Sequence, residues 1–347
     1  MFSKVKHIFA NCSGIPAAVN WRNRRRLLVV TYHGIYDGPK GKVPMPETFV
    51  HVADMLNHLS FITQKYRLIG PDMLLRYMEG KGHIPKNAAM ITFDDGYESF
   101  HRLALPALCS LRIQPVVFIS TSYVEERKPF WFDAVWWLLN YGSTAKKKSV
   151  QEFLGMRSCE GNAGVKECLA KMKNLPLMRR NIIMNEVEAW LIEAEKNDPR
   201  IKLFYGLTRS QVRAAEARGV RIGGHTHSHT ILANLSDKDA EEEIVQNKNS
   251  LEKITGSESV YFAYPNGGKT DFSDNHKIML KRAGYRIGFS LTEGRSLPRL
   301  DPMSIARVNV GPCDNLRSLQ LRCSGVIPWI AEIRNLLRVG RQGSQSV

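Results

Sequence analysis

The sequence predicts an α/β fold in which parallel strands form a closed or nearly closed barrel. Short runs of β-branched and aromatic residues recur seven times along the chain, and amphipathic stretches separate most of them. Strands that alternate with helices are typical of a parallel sheet. Seven such units favour a barrel related to the (β/α) barrels.

The predicted strands are rich in Val, Ile, Phe and Tyr, as strands generally are. They span residues 27–32, 89–93, 114–120, 219–224, 260–264, 285–289 and 305–310. The apolar periodicity predicts helices at 47–64 and 237–254. The second has Ser236 and Asp239 in a capping-box pattern at its start and Gly256 at its end.

One interval breaks this alternation. Residues 121–218, between the third and fourth strands, are mostly helical by pattern, whereas a single crossover needs only about a dozen residues. We therefore predict a helical insertion there. Its first part contains Trp131, Trp136 and Trp137. These rings could stack on sugars, but packing inside the insertion is the interpretation that we favour.

Composition indicates a folded chain with one large core or two smaller ones. The 347 residues are 43% hydrophobic and 24% charged. The six cysteines include no C-x-x-C pair, which indicates free thiols in a reducing compartment. Residues 1–26 form a basic segment without the apolar run of about 7–15 residues that a signal peptide needs. We expect a cytoplasmic protein rather than a secreted one.

The net charge of +16 is compatible with nucleic acid, an anionic membrane surface or a negatively charged substrate as partner. Nucleic acid is not expected, because no zinc-finger spacing, heptad-linked basic region or aromatic RNA-binding pattern is present. We assign the barrel to residues 27–312 and a basic amphipathic tail to 313–347. The tail suits either a helix on the inner face of an anionic membrane or a helix packed on the barrel. Its apolar stripe consists of Trp329, Ile330, Ile333, Leu336 and Leu337.

Four polar motifs directly follow predicted strands. They would meet at the C-terminal face of a parallel barrel, which is where active sites lie. The motifs are TYHGI at 31–35, TFDDG at 92–96, GGHTHSHT at 223–230 and FAYPNGG at 262–268.

Asp95, His225 and His229 together predict a metal site with a position open for water, which is a catalytic rather than a structural pattern. The two histidines are four residues apart, so a helical turn would place both on one face. His227 would lie off that face, toward substrate or solvent. Zn²⁺ is the expected ion, and Co²⁺ or Fe²⁺ would also fit. Asp94 would then be free to act as a base toward a water acidified by the ion.

These motifs resemble those of the polysaccharide deacetylase family, the NodB-homology carbohydrate esterases. TFDDG is similar to the first motif of the family, and HTHSH with Leu232 and Leu235-Ser236 is similar to its histidine motif. The resemblance covers about 27–310 outside the insertion. It implies a distorted (β/α)7 barrel and a metal-dependent enzyme. FAYPNG is closer to the FAYP-type branch, which deacetylates exopolysaccharides.

By position, the resemblance implies that Asp94 is the catalytic base and that Asp95, His225 and His229 bind the metal. In the FAYP-type branch a histidine after the first strand resembles a general acid, which implies that role for His33.

The sequence also departs from the family pattern. The usual Arg-x-Pro-Tyr motif has Ala263 and Asn266 in place of Arg and Tyr, and the backbone N–H of Asn266 takes the oxyanion-donor position. No late Leu-x-His motif is evident, and the last strand offers Arg307, which could orient Asp94, bind substrate or form a structural ion pair. The residues that we assign to substrate contact are Tyr264, Arg307 and Trp131.

The expected reaction removes N-acetyl groups from amino sugars of a polysaccharide or lipid-linked glycan. Two alternatives stay open. The chain could hydrolyse another non-peptide amide on the same barrel, or it could bind glycans without catalysis. Loss of Asp94 or of a metal ligand would favour a binding protein, and all four residues are present.

Overall fold

The computed structural model describes residues 14–40, 46–126 and 128–330. Its strands are β1 (Leu27–Tyr32), β2 (Gly34–Tyr36), β3 (Phe49–His51), β4 (Arg67–Leu68), β5 (Ala88–Phe93), β6 (Val116–Ile119), β7 (Arg221–Gly224), β8 (Tyr261–Ala263), β9 (Ile287–Phe289), β10 (Arg295–Ser296) and β11 (Val308–Asn309). Its α-helices are α1 (Gly14–Arg22), α2 (Val52–Lys65), α3 (Pro71–Met78), α4 (Leu105–Ser110), α5 (Thr121–Glu126), α6 (Trp131–Tyr141), α7 (Thr144–Phe153), α8 (Gly161–Lys173), α9 (Leu177–Asn197), α10 (Arg209–Glu216), α11 (Asp237–Thr255), α12 (Asp274–Arg282) and α13 (Leu316–Ser324).

The main sheet curls into a barrel. Its order is β10-β1-β5-β6-β7-β8-β9, and neighbouring strands are parallel except for β10, which is antiparallel to β1. β11 pairs in parallel with β1, and Ile305 forms a parallel bridge with Phe289 at the end of β9. The stretch 305–309 therefore lies between β9 and β1. The predicted α/β barrel is confirmed: all seven predicted strands are present, and β4 and β10 add two short strands to the sheet.

Both faces of the sheet are covered. β1, β5 and β6 are buried at every position, as expected for parallel strands with apolar layers on both sides. Val29, Met90 and Phe118 belong to a cluster that fills the barrel. Their neighbours Leu28 and Ile91 belong to the cluster that packs against the outer helices. Because the strands are apolar on both faces, the polar groups at the rim of the barrel come from the residues at the strand ends.

The helices adjoining the strands follow the predicted local signals. The Ser236 side chain accepts a hydrogen bond from the Asp239 N–H at the start of α11, and Gly256 ends the helix with φ 73°. α2 begins later than predicted, because Phe49–His51 pairs with β2 as a short strand.

Between β6 and β7 the chain forms α5 to α10 rather than a single crossover helix. Apolar side chains of this segment form a core of their own, which also contacts Tyr97 and Phe49 of the barrel. Trp136 and Trp137 are only 8% and 3% exposed, so they belong to this core and cannot form a sugar-stacking surface.

Parts of two predictions lie outside the described residues. Ile333, Leu336 and Leu337 of the tail stripe lie there, as do residues 1–13 of the basic segment. None of the described helices is long and apolar enough to cross a bilayer. The five cysteines within the described residues are free thiols, as predicted.

Candidate active site

Three predicted metal ligands meet at one end of the barrel. Asp95 follows β5, and His225 directly follows β7. The Asp95 Oδ1 atom lies 3.3 Å from His225 Nε2 and 3.1 Å from His229 Nε2. Each of the three residues offers one ligand atom, and these three atoms lie within 4.8 Å of one another. This spacing suits a single ion held between them.

The backbone brings the two histidines together without the helical turn that their spacing would suit. Thr226 and His229 have φ values of 56° and 58°, in the left-handed region, and the chain between them forms an irregular loop. This loop still places the rings of His225 and His229 with centroids 4.9 Å apart. The three residues named in the metal-site prediction therefore do lie together, and their role as ligands stays a prediction.

A buried amide supports this loop. Asn247 of α11 donates hydrogen bonds to the carbonyl oxygens of Thr226, at 2.7 Å, and Ile119, at 2.9 Å. Its own Oδ1 accepts a hydrogen bond from the Tyr285 hydroxyl at 3.1 Å. A Cβ on Gly224 would collide with both Tyr285 and Asn247. Only glycine fits at the residue before His225.

The imidazole of His225 is oriented by the backbone of β8. Its Nδ1 atom lies 2.7 Å from the carbonyl oxygen of Ala263 and can only donate there. Donation from Nδ1 leaves Nε2 unprotonated in the neutral ring and directed at Asp95, which is the form that binds metals.

The electrostatics of the three residues fit a divalent cation. Burial raises the pKa of Asp95, but the neighbouring imidazoles outweigh burial and lower it well below its usual value. Burial lowers the pKa of His229, and the adjacent carboxylate only partly opposes this effect. The Asp95 Oδ1 atom is buried and has no hydrogen-bond partner among the described residues. A bound cation would satisfy this oxygen.

Asp94 lies beside the three predicted metal ligands but is held by different groups. Arg307 donates hydrogen bonds to both of its oxygens, at 2.6 and 2.7 Å, and the His33 Nε2 atom lies 3.8 Å from Oδ2. Burial raises the pKa of Asp94, but the charges of Arg307 and His33 outweigh burial and leave the pKa below its usual value. Asp94 is therefore ionised and separate from the metal ligands.

A cavity of about 360 Å³ opens over these groups, a size that suits a small ligand. Seven predicted site residues line it: His33, Asp94, Asp95, Trp131, His225, His229 and Asn266.

Two predicted substrate contacts are wrong. Tyr264 is fully buried, stacks on Phe272 and donates its hydroxyl hydrogen to the Met303 carbonyl at 2.8 Å. Arg307 is also fully buried, and both of its terminal nitrogens bind Asp94. Neither residue lines the cavity, so Arg307 does not bind substrate there. Its pairing with Asp94 fits both of its other expected roles, orienting Asp94 and forming a structural ion pair.

His227 also lies away from the cavity. Its Nδ1 is 2.8 Å from the Thr121 hydroxyl and its Nε2 is 3.0 Å from the Gln246 side chain. These contacts fasten the loop to α5 and α11, so His227 faces neither the metal ligands nor a substrate.

Several residues of the cavity wall belong to none of the predicted motifs. Asn309 ends the last strand, so the strand-end rule that identified Asp94 could have found it. Thr48 and Arg180 lie far from any motif, and only the three-dimensional packing brings them to the cavity. The Thr48 hydroxyl and Asn309 Oδ1 are buried without hydrogen-bond partners among the described residues, so both can bind a ligand.

The geometry agrees with the family comparison. The family model for polysaccharide deacetylases matches residues 81–288, which include Asp94, Asp95, His225 and His229. The chain belongs to the polysaccharide deacetylase family. Members of this family act on amide C–N bonds of glycans.

Solved structures of deacetylases share this fold. A Streptococcus pyogenes deacetylase, PplD, in complex with acetate has a TM-score of 0.56 and 16% identity over 85% of this chain and 96% of its own. IcaB from Ammonifex degensii has a TM-score of 0.56 and 18% identity over 86% and 97%. A de-N-acetylase from Aggregatibacter actinomycetemcomitans has a TM-score of 0.56 and 14% identity over 86% and 99%. No curated protein sequence matches the chain. Its membership of the FAYP-type branch stays a prediction.

Proposed function

We propose that this polysaccharide deacetylase hydrolyses the N-acetyl amide of amino sugars at the site formed by Asp94, Asp95, His225 and His229. The juxtaposition of two differently held carboxylates carries the proposal. Asp95 lies against two imidazoles, whereas its neighbour Asp94 is ionised and bound by Arg307. One carboxylate can thus bind a cation while the other moves protons.

The donor set of one carboxylate and two imidazoles suits Zn²⁺, and Co²⁺ or Fe²⁺ would also fit. A divalent ion bound there would polarise the acetyl carbonyl and lower the pKa of a water molecule beside it.

Asp94 is placed to take a proton from the attacking water. Its lowered pKa keeps it ionised but also makes it a weak base, so it needs a water that has already become acidic. His33, with Nε2 3.8 Å from Asp94, is placed to give a proton to the amine nitrogen as the C–N bond breaks. The products are acetate and a free amino sugar.

Other residues would position the substrate. We assign the backbone N–H of Asn266 to the carbonyl oxygen as negative charge develops there. The unpartnered Thr48 hydroxyl and Asn309 side chain are suited to sugar hydroxyl groups, and the partly buried Trp131 offers an aromatic ring to the sugar.

The test is acetate release from N-acetylglucosamine oligomers by protein that is purified, chelated and then reloaded with Zn²⁺. We expect chelation to abolish release and reloading to restore it. Cleavage of simple amides but not of oligomers would favour a hydrolase with a different substrate. Bound metal without any amide cleavage would instead favour a non-catalytic glycan-binding protein.

A further inference from the structure

A buried cation without an acidic partner lies in the cavity wall. Arg180 of α9 is only 9% exposed, and among the described residues no carboxylate pairs with it. Its guanidinium lies 4.7 Å from the ring centroid of Trp131. A buried charge is costly unless an opposite charge or hydrogen bonds compensate it. By contrast, the buried guanidinium of Arg307 is fully compensated by Asp94.

A second cation faces the same space. Lys173, the last residue of α8, also lines the cavity and forms no salt bridge with a described residue. Of the two carboxylates in the cavity, Asp94 is matched by Arg307, and Asp95 faces the two histidines and the proposed metal ion. The wall formed by α8 and α9 therefore presents uncompensated positive charge to a ligand.

A series of ring contacts runs from the predicted metal ligands to this charge. The ring of His229 lies 5.2 Å from that of Phe132, and Phe132 lies 5.5 Å from Trp131. Arg180 lies over Trp131, the third ring of this series. A sugar whose acetamido group is at the predicted metal ligands would therefore lie along Phe132 and Trp131, and a charged substituent on that sugar would face the wall that carries Arg180.

We infer that the substrate sugar carries a phosphate group, which Arg180 and Lys173 bind while the acetamido group lies at Asp95, His225 and His229. A guanidinium presents paired N–H donors that match phosphate oxygens, and two cations suit the charge of a phosphate. This inference rests on the proposed deacetylase function and adds the substrate class. It also gives a role to part of the strongly basic composition.

The phosphate could belong to a soluble or polymeric glycan or to a lipid carrier, and the chemistry at Arg180 is the same in each case. The adjoining wall includes Leu169, Leu175 and Pro176, which would tolerate an apolar chain. The experiment below separates these sources.

The test compares kcat/KM for N-acetylglucosamine 1-phosphate and for N-acetylglucosamine, measured as acetate release by the metal-loaded protein. We expect the wild-type protein to prefer the phosphorylated sugar by at least about tenfold, the size of one charge-assisted hydrogen bond. Arg180→Gln should lower this preference by about tenfold, and Arg180→Lys should retain much of it. Arg179→Gln is the matched control, because Arg179 is the neighbouring cation on the same helix and is exposed.

Equal kcat/KM for both sugars in the wild-type protein would overturn the inference, and so would an equal loss of preference in Arg179→Gln and Arg180→Gln. If neither these sugars nor N-acetylglucosamine oligomers release acetate, the proposed function fails. In that case, and also if only the two monosaccharides are inactive, calorimetric binding of N-acetylglucosamine 1-phosphate tests the phosphate site separately. Binding that Arg180→Gln weakens while Arg179→Gln does not would support the site, and undetectable binding would refute it. The third substrate is a polyprenyl-linked sugar phosphate in phosphatidylcholine vesicles. A higher kcat/KM for it than for the soluble sugar phosphate assigns the phosphate to a lipid carrier. An equal or lower kcat/KM assigns the phosphate to a glycan.

Discussion

Arg307 binds both carboxylate oxygens of Asp94, through Nη1 at 2.6 Å and Nη2 at 2.7 Å, in a fully buried ion pair. The arginine comes from the stretch before β11 and the aspartate from the end of β5, on either side of β1. The same contact therefore joins the last barrel segment to the site and fixes the orientation of the proposed base.

The first prediction concerns this pair. Arg307→Met should lower the free energy of unfolding by about 3–5 kcal/mol, because it leaves a buried carboxylate without its partner. The double variant Arg307→Met/Asp94→Asn should recover part of the lost stability but no deacetylase activity. Chemical denaturation and acetate release measure the two effects. Full activity in Arg307→Met would show that the arginine does not orient Asp94.

The second prediction concerns metal binding by the histidine motif. Loss of a residue that hydrogen-bonds to a metal ligand weakens metal affinity by roughly 10–100-fold. His229→Ala removes a predicted ligand itself, so it should weaken metal affinity by more than this. His227→Ala is the control within the same motif, since His227 contacts Thr121 and Gln246 instead. Metal content after dialysis distinguishes them. Equal metal loss in both variants would contradict the assignment of His229 as a ligand.

The third prediction concerns Gly224. Gly224→Ala should destabilise the fold by about 1–3 kcal/mol and weaken metal binding, because the new Cβ collides with Tyr285 and Asn247, which support the loop between His225 and His229. Gly38→Ala should change neither property, because no atom lies within 4 Å of the Cβ position there. Unfolding midpoints and metal titrations of the two variants test this comparison. A fully stable, metal-binding Gly224→Ala protein would show that the loop adjusts freely.

The fourth prediction concerns pH. Burial raises the pKa of Asp133 well above its usual value; the hydrogen bond from Tyr97 opposes this effect and the charge of Asp95 adds to it. The folded chelated protein therefore retains a proton that the unfolded chain releases near pH 4. Stability should fall as pH rises above about 4 toward the folded pKa, by up to about 1.4 kcal/mol per pH unit.

Asp133→Asn should reduce this fall, because the amide can still accept the hydrogen bond from Tyr97 but does not titrate. Denaturation of the chelated protein at a series of pH values above 4 measures the slope. Asp94 and Asp95 have lowered pKa values, so their contribution to stability is lost as the pH falls below about 4, outside the pH range of this test. Identical slopes in the two proteins would rule out Asp133 as the titrating group.

Local patterns predicted the barrel and most of the reaction centre, because both depend on short-range signals. The strands can be recognised by their composition. Residues that directly follow parallel strands must meet at one rim of the barrel, which is why Asp94, Asp95, His225 and His229 could be named together. The same rule would have found Asn309. Tyr264 was misassigned because neighbouring strand-end residues point in different directions, and nothing local shows that its hydroxyl reaches Met303.

The cavity wall could not be predicted in this way. Arg180 and Lys173 come from helices whose placement against the barrel depends on long-range packing, including the contacts of Tyr97 and Phe49 with the core of this segment. Their sequence neighbourhood carries no motif. The distinction between Trp131, which lines the cavity, and the buried Trp136 and Trp137 likewise depends on how that core closes.

Metal content and acetate release, measured on the same samples of Asp94→Asn and Asp95→Asn, test the central claim most directly. Unfolding curves of both variants would verify that they are folded. The account predicts that Asp94→Asn retains its metal but releases no acetate from N-acetylglucosamine oligomers, whereas Asp95→Asn loses both properties. Acetate release by metal-loaded Asp94→Asn at the wild-type rate would contradict the division of roles between the two carboxylates.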